Sequence, residues 1–204
     1  MNRAELKAQA KAQIKGKIGI LFLITIIIAV VSAVAGWILN LIPYVGSIAA
    51  AVIITPAFSL SVTRIYLDVI AGGKPQAKDA FSGFNDFWAA FKVTFLTGLY
   101  TFLWSLLFII PGIIKAISYS MAMYILAENK GKSARECINE SKAMTKGHKG
   151  ELFVLGLSFI GWSLLCSITF GIAAIWVTPY MSATFANAYQ SLKAAPVVEE
   201  AVEA

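Results

Sequence analysis

From about Ile18 to Leu39 the chain runs apolar without a charge, long enough to cross a bilayer, which takes roughly 20 such residues. Five further stretches follow. They run from about Ile48 to Ile70, carrying Arg64 and Asp68 toward the end, from Phe87 to Ile110 with Lys92 near the start, from Gly112 to Ala127, from Leu152 to Ile168, and from Gly171 to Leu192. The third and fourth are parts of one run from Phe91 to Ala127, which as a single helix would measure ~55 Å. That is too long for one span, so Pro111-Gly112 predicts a hairpin, with the fourth span short and tilted or partly re-entrant. The pattern predicts an all-α, polytopic membrane helix bundle: six transmembrane helices forming one domain over residues 1–192. Residues 193–204, rich in Ala, Val and Glu with Pro196, lack a helical stripe and read as a disordered acidic tail.

Three more polar segments separate the spans, and each has a helical period. Leu6, Ala10 and Ile14 lie opposite Lys7, Lys11 and Lys15, so the first segment either rests on an anionic leaflet or extends the first span. Ala80, Phe81, Phe84, Phe87, Trp88 and Phe91 recur at helical spacing, with Gly83 as the expected break; that aromatic face suits the membrane interface. Ser133 and Glu136 have the spacing of a capping box, followed by Ala134, Cys137, Ile138, Ser141 and Met144 on one face and Gly147 as the stop. The plain reading of all three is an amphipathic cytoplasmic helix that anchors its loop. The alternative, strongest for Phe81, Phe84, Phe87 and Trp88, is a partner-docking face. Each segment precedes two spans, which predicts three two-helix units of one orientation. A closer likeness joins two of the returning helices: Thr55, Pro56, Ser59, Ser61 and Tyr66 match Thr178, Pro179, Ser182, Thr184 and Tyr189 in type and spacing.

Charge sets the orientation. Sixteen of the seventeen Lys and Arg residues fall before the first span, at or bordering the second-to-third connection, in the fourth-to-fifth connection, or after the sixth span, and Lys115 alone falls on the other side. Both termini and both charged connections are therefore expected in the cytoplasm. The net charge of +6 is explained by this topology without nucleic acid as a partner. Composition agrees: 58% of the 204 residues are hydrophobic and only 14% charged, with a mean hydropathy of +0.74. One small soluble core could not bury that much apolar surface. Two Cys and one His exclude a disulfide scaffold and a histidine-built metal centre. A basic start, an apolar run and Ala33-Val34-Ala35 mimic a cleavable signal. The run continues to Leu39 and favours an uncleaved anchor.

Candidate chemistry is sparse. Thr55, Ser59 and Tyr66, like Thr178, Ser182 and Tyr189, share one helix face. Such stripes either line a common cavity or let helices pack closely through small hydroxyl residues. Arg64 and Asp68 stand four apart in the inner half of a span, where pairing would offset the cost of burying either one. They read as a snorkelling ion pair or as a ligand counter-charge. Lys115 follows Pro111-Gly112 by one turn and either reaches the outer headgroups or attracts an anion to a cavity mouth. His148 sits in a Gly- and Lys-rich loop with no acidic neighbour placed by spacing, Asp68 is the only acid at depth, and no phosphate loop occurs. Cys137 and Cys166 fall on opposite sides of this topology. No catalytic, metal or cofactor set emerges.

The stretch Ile109-Ile110-Pro111-Gly112-Ile113-Ile114-Lys115-Ala116 with Ser118-Tyr119-Ser120-Met121 resembles the domain of unknown function 975 family, small integral membrane proteins mainly of Gram-positive bacteria. So do Leu157-Ser158-Phe159-Ile160-Gly161-Trp162, Trp176-Val177-Thr178-Pro179-Tyr180 and the starting Arg3-Ala4-Glu5-Leu6-Lys7. The resemblance covers most of the chain to Leu192 and implies a bacterial plasma membrane location, with no activity to carry over. The expected function is a non-enzymatic, membrane-embedded accessory or ligand-binding component. Its expected partners are the bilayer, anionic lipids at the cytoplasmic face, and a membrane protein or a second copy. The alternative is a small transporter or a lipid- or peptide-handling permease.

Overall fold

A computed structural model describes residues 2–39, 46–169 and 171–194. The loop after the first long helix and residues 195–204 lie outside these residues; Lys193 and Ala194, expected in the disordered tail, instead continue the last helix. The described chain is all-helical. The helices are α1 (Arg3–Ile14), α2 (Ile18–Leu39), α3 (Gly46–Ile70), a 3-10 helix (Ala77–Asp86), α4 (Phe87–Leu107), α5 (Ile109–Tyr119), α6 (Ala122–Glu128), α7 (Ala134–Thr145), α8 (Lys149–Leu157), α9 (Ile160–Ile168) and α10 (Ala174–Ala194). Four stretches are long and apolar enough to cross a membrane: Ile18–Ile38, Ala77–Leu106, Ile109–Glu128 and Lys149–Ile168. The chain is that of a membrane protein.

Apolar exposure follows a helical stripe. Leu23, Ile26, Val30, Val34 and Trp37 on α2, and Phe95, Leu99, Phe102 and Leu106 on α4, are exposed at steps of three to four residues. Such stripes would be unstable in water and are at home among acyl chains. Burial concentrates where the charged segments return. One core joins Leu60, Ala90, Val93, Met121, Ile125, Ile138, Leu155 and Tyr189, and a second joins Ala10, Leu21, Ile65, Val69 and Ala183.

The first and third polar segments are helices whose apolar residues rest on protein. Leu6, Ala10 and Ile14 of α1 are buried, and α1 packs along α10. In α7 the Ser133 side chain accepts from the Glu136 N–H at 3.3 Å and the Glu136 carboxylate accepts from the Ser133 N–H at 2.7 Å. These bonds hold the Glu136 carboxyl below its ordinary range. Ala134, Cys137, Ile138 and Ser141 are buried, and Gly147 takes a positive φ of 82° just past the helix.

Two predicted spans are each broken into shorter helices, although neither break carries Pro or Gly. Between α5 and α6 the Met121 N–H turns to the Ser141 hydroxyl of α7 at 3.2 Å, which in turn donates to the Ser118 carbonyl at 2.7 Å. A docked neighbour thus satisfies the interrupted backbone. Between α8 and α9 the Phe159 N–H takes the Gly156 carbonyl, one residue nearer than in an α-helix, and Ser158 bonds back to the Leu155 carbonyl. The hairpin predicted at Pro111-Gly112 forms, with its turn at Phe108, where the backbone is extended. A Cβ on Gly112 would strike Ser105, so α4 and α5 meet closely there.

Gly83 is not a break. It lies inside the 3-10 helix, buried against α3, with its N–H donating to the Ser61 hydroxyl at 2.8 Å; a Cβ there would overlap the Ala57 carbonyl oxygen. The absent side chain serves close approach between two backbones rather than helix termination. The aromatic series divides accordingly. Phe81 and Phe84 gather with Phe58 of α3, at ring separations of 6.1 and 5.2 Å, while Phe87, Trp88 and Phe91 cluster at the start of α4.

Candidate functional site

Arg64 and Asp68 are not partners. The Arg64 guanidinium reaches the 3-10 helix instead, donating to the Asp86 carboxylate at 2.6 Å and to the Ser82 carbonyl at 2.8 Å. Asp86 immediately precedes α4, so this pair fixes where the chain leaves the 3-10 helix and begins α4. The i,i+4 spacing made Asp68 the obvious partner, but the Gly72-Gly73 turn folds the chain back along α3 and brings a carboxylate with better geometry to Arg64. Asp68 is exposed. Arg64 Nε and Ser82 Oγ are buried there without a partner among the described residues.

A stability comparison follows. Asp86→Asn is expected to cost about 1.5 kcal/mol, because it leaves a mostly buried guanidinium without its counter-charge. Asp68→Asn is expected to stay within about 0.5 kcal/mol, as for exposed surface changes. Thermal unfolding of the two purified variants in one detergent checks the order, and a larger loss for Asp68→Asn would contradict this assignment of the ion pair.

The two Thr-Pro stripes meet only in part. Tyr66 and Thr178 line a common apolar cavity of about 90 Å³ with Leu21, Ile24 and Ile65, and the Tyr66 hydroxyl faces Ser182. Thr55 and Ser59 instead line an open groove with Ser32 and Thr63. Tyr189 leaves its stripe altogether: its hydroxyl donates to Glu128 at 2.9 Å and its ring stacks on Tyr124 at 5.4 Å. Lys115 lies over the Trp104 ring at 4.6 Å, bridging the arms of the α4–α5 hairpin. His148 does have an acidic neighbour, since its Nδ1 stands 2.9 Å from the Glu151 carboxylate.

Several polar groups that the sequence did not single out tie helix ends together. Glu128, at the end of α6, accepts from Tyr189, Gln190 and Lys193 of α10. Gln13 and Asn187 exchange amide hydrogen bonds at 2.7 and 3.3 Å, and Gln13 also donates to the Ile70 carbonyl at the end of α3. Lys17 donates to the neighbouring Val69 carbonyl at 3.2 Å. Two carbonyls at the negative end of a helix are thus met by an amide and a cation. The available signal was Gln13 and Asn187 standing on otherwise apolar faces, where a lone amide demands a partner.

A groove of about 460 Å³ lies between α1 and the α9–α10 pair. Trp162, Trp176, Val177 and Tyr180 form its apolar wall, and Lys11 and Lys15 stand at it. Among the described residues no acid bonds either lysine. One turn before them Lys7 lies over the Phe159 ring at 4.5 Å, and Phe159 contacts Tyr180. Burial is the first cause, and Arg3 the second, that lowers the Lys7 ammonium below its ordinary range.

One family model, described as Protein of unknown function (DUF975), matches residues 1–119 and 106–196. The chain belongs to the DUF975 family. No curated protein matches it significantly, and no solved structure does. The DUF975 match spans α1 through α10, so the lysine-bearing α1 and the aromatic α9–α10 wall both lie within the family's extent.

Proposed function

We propose that this DUF975 protein is a six-span component of the bacterial plasma membrane that works by holding an amphiphilic ligand or a membrane partner, and not by catalysis. Each of three units would comprise an amphipathic helix and two spans: α1 with α2 and α3, the 3-10 helix with α4 and α5–α6, and α7 with α8–α9 and α10. Both termini would face the cytoplasm, as the distribution of Lys and Arg favours. α10 is about 32 Å long and α3 about 37 Å, enough for each to cross despite their polar residues.

The observation that carries the binding reading is how the polar groups are used. Arg64, Glu128, Gln13 and Asn187 are engaged in ties between helices, whereas Lys11 and Lys15 stand uncommitted beside an aromatic groove. A carrier would need the two Thr-Pro stripes to enclose a substrate between them. The cavity that Tyr66 and Thr178 share, about 90 Å³, offers little room, since a water in the liquid takes about 30 Å³.

Mass spectrometry of the tagged protein, purified from its own membrane in mild detergent, tests the reading. A stoichiometric lipid, small amphiphile or protein partner supports it, with a protein partner expected to depend on Phe81, Phe84 and Trp88. Protein that purifies intact with none of these contradicts it.

A further inference from the structure

We propose that the groove between α1 and the α9–α10 pair is a binding site for one anionic phospholipid, its phosphate held by Lys11 and Lys15 and an acyl chain laid along Trp162, Trp176 and Tyr180. The inference rests on the membrane-embedded reading above and adds the ligand class and the residues that select it. Three observations point the same way. The wall is aromatic and apolar, with Val177 between the tryptophans and Tyr180, which suits a hydrocarbon chain. The two cations are both exposed, Lys11 on α1 and Lys15 at its C-terminal cap, and both line the one groove, so their ammonium groups can converge on one anion.

The third observation is the level of the two lysines. Gln13, between them in sequence, donates to the Ile70 carbonyl at the end of α3, and Lys17 donates to the Val69 carbonyl beside it. Lys11 and Lys15 thus stand near helix ends, at the level of lipid headgroups, and no acid among the described residues bonds either one. A lipid phosphate supplies the missing charge while its chains fill the apolar wall. Lys7, one turn earlier over Phe159, extends the same basic ridge toward the start of α1.

Tryptophan quenching by brominated lipids tests the site in the intact chain. Trp37, Trp88 and Trp104, all exposed, are replaced by Phe so that Trp162 and Trp176 report alone. The protein is reconstituted in vesicles of phosphatidylcholine and phosphatidylglycerol, with bromine on the acyl chains of one lipid or the other. Brominated phosphatidylglycerol is expected to occupy the site about five-fold or more in preference to phosphatidylcholine, each lysine near a surface contributing roughly a factor of five for an anionic lipid. Lys11→Gln with Lys15→Gln should abolish the preference, Lys11→Arg with Lys15→Arg should keep it, and Lys74→Gln with Lys78→Gln should leave it unchanged. Equal quenching by the two lipids overturns the proposal, as does a preference that survives the double glutamine variant. Either result leaves the membrane-embedded reading standing, because quenching itself requires acyl chains at the tryptophans. An absence of quenching by both lipids overturns the two together.

Discussion

Replacing Gly83 with Val is expected to destabilise the protein by about 3 kcal/mol. The new Cβ would overlap the Ala57 carbonyl oxygen and crowd the Ser61 backbone, and backbone cannot swing aside as a side-chain end can. Forcing extra carbon into a well-packed contact costs about 1–3 kcal/mol. Displacing the 3-10 helix also breaks the bond from the Gly83 N–H to the Ser61 hydroxyl, worth about 1 kcal/mol. The damage spreads, because the same displacement carries Ser82 and Asp86 away from Arg64. For a chain of this size the unfolding midpoint should fall by roughly 8 °C. Gly98→Val serves as the control: a Cβ at Gly98 meets nothing within 4 Å, and its midpoint should move little. Equal losses at the two glycines would contradict the close contact between the 3-10 helix and α3.

Glu128→Ala is the second change with a large expected effect, about 2–3 kcal/mol. Glu128 takes hydrogen bonds from Tyr189, Gln190 and Lys193, joining the end of α6 to the last turns of α10. The Lys193 bond contributes least, since that side chain is 51% exposed and the pair is screened. Tyr189 matters most. It is 1% exposed, so removing its acceptor leaves a buried hydroxyl unpaired, a loss of about 1–3 kcal/mol. Glu128→Ala combined with Tyr189→Phe should recover part of the loss, because no orphaned hydroxyl remains. Thermal unfolding of the single and double variants measures this. A double variant that loses the full sum of the two single effects would contradict the coupling.

What could be read from the sequence was whatever depends on local spacing. The capping box at Ser133 and Glu136, the buried faces of α1 and α7, and the hairpin ahead of Pro111 each follow from residues within a few positions of one another. Partners across space were not legible in the same way. Arg64 has Asp68 one turn away, yet Asp86 takes the bond, because the Gly72-Gly73 turn and the docked 3-10 helix decide which carboxylate arrives. Gly83 looked like a terminator because glycine commonly ends a helix; that it permits contact with α3 shows only once α3 is beside it. The breaks after Tyr119 and Leu157 carry no breaker residue either. The first exists because Ser141 of another helix offers Met121 a substitute hydrogen bond. Lys11 and Lys15 had been assigned to the membrane surface by the positive-inside pattern, and their meeting with Trp162 and Trp176 depends on α1 folding along α10.

The central claim is that the apolar arms cross the membrane while the charged helices stay on the cytoplasmic face. Cysteine accessibility in intact cells tests it most directly, starting from a Cys137→Ala, Cys166→Ala background with one new cysteine at a time. Ile109→Cys marks the tip of the α4–α5 hairpin, where the native side chain is 77% exposed; Arg3→Cys marks the exposed face of α1 and Glu140→Cys a partly exposed position of α7. A membrane-impermeant maleimide should label position 109 from outside and reach positions 3 and 140 only after the cells are opened. Labelling of position 3 or 140 in intact cells would contradict the orientation, and protection of position 109 there would make the α4–α5 hairpin re-entrant instead of spanning.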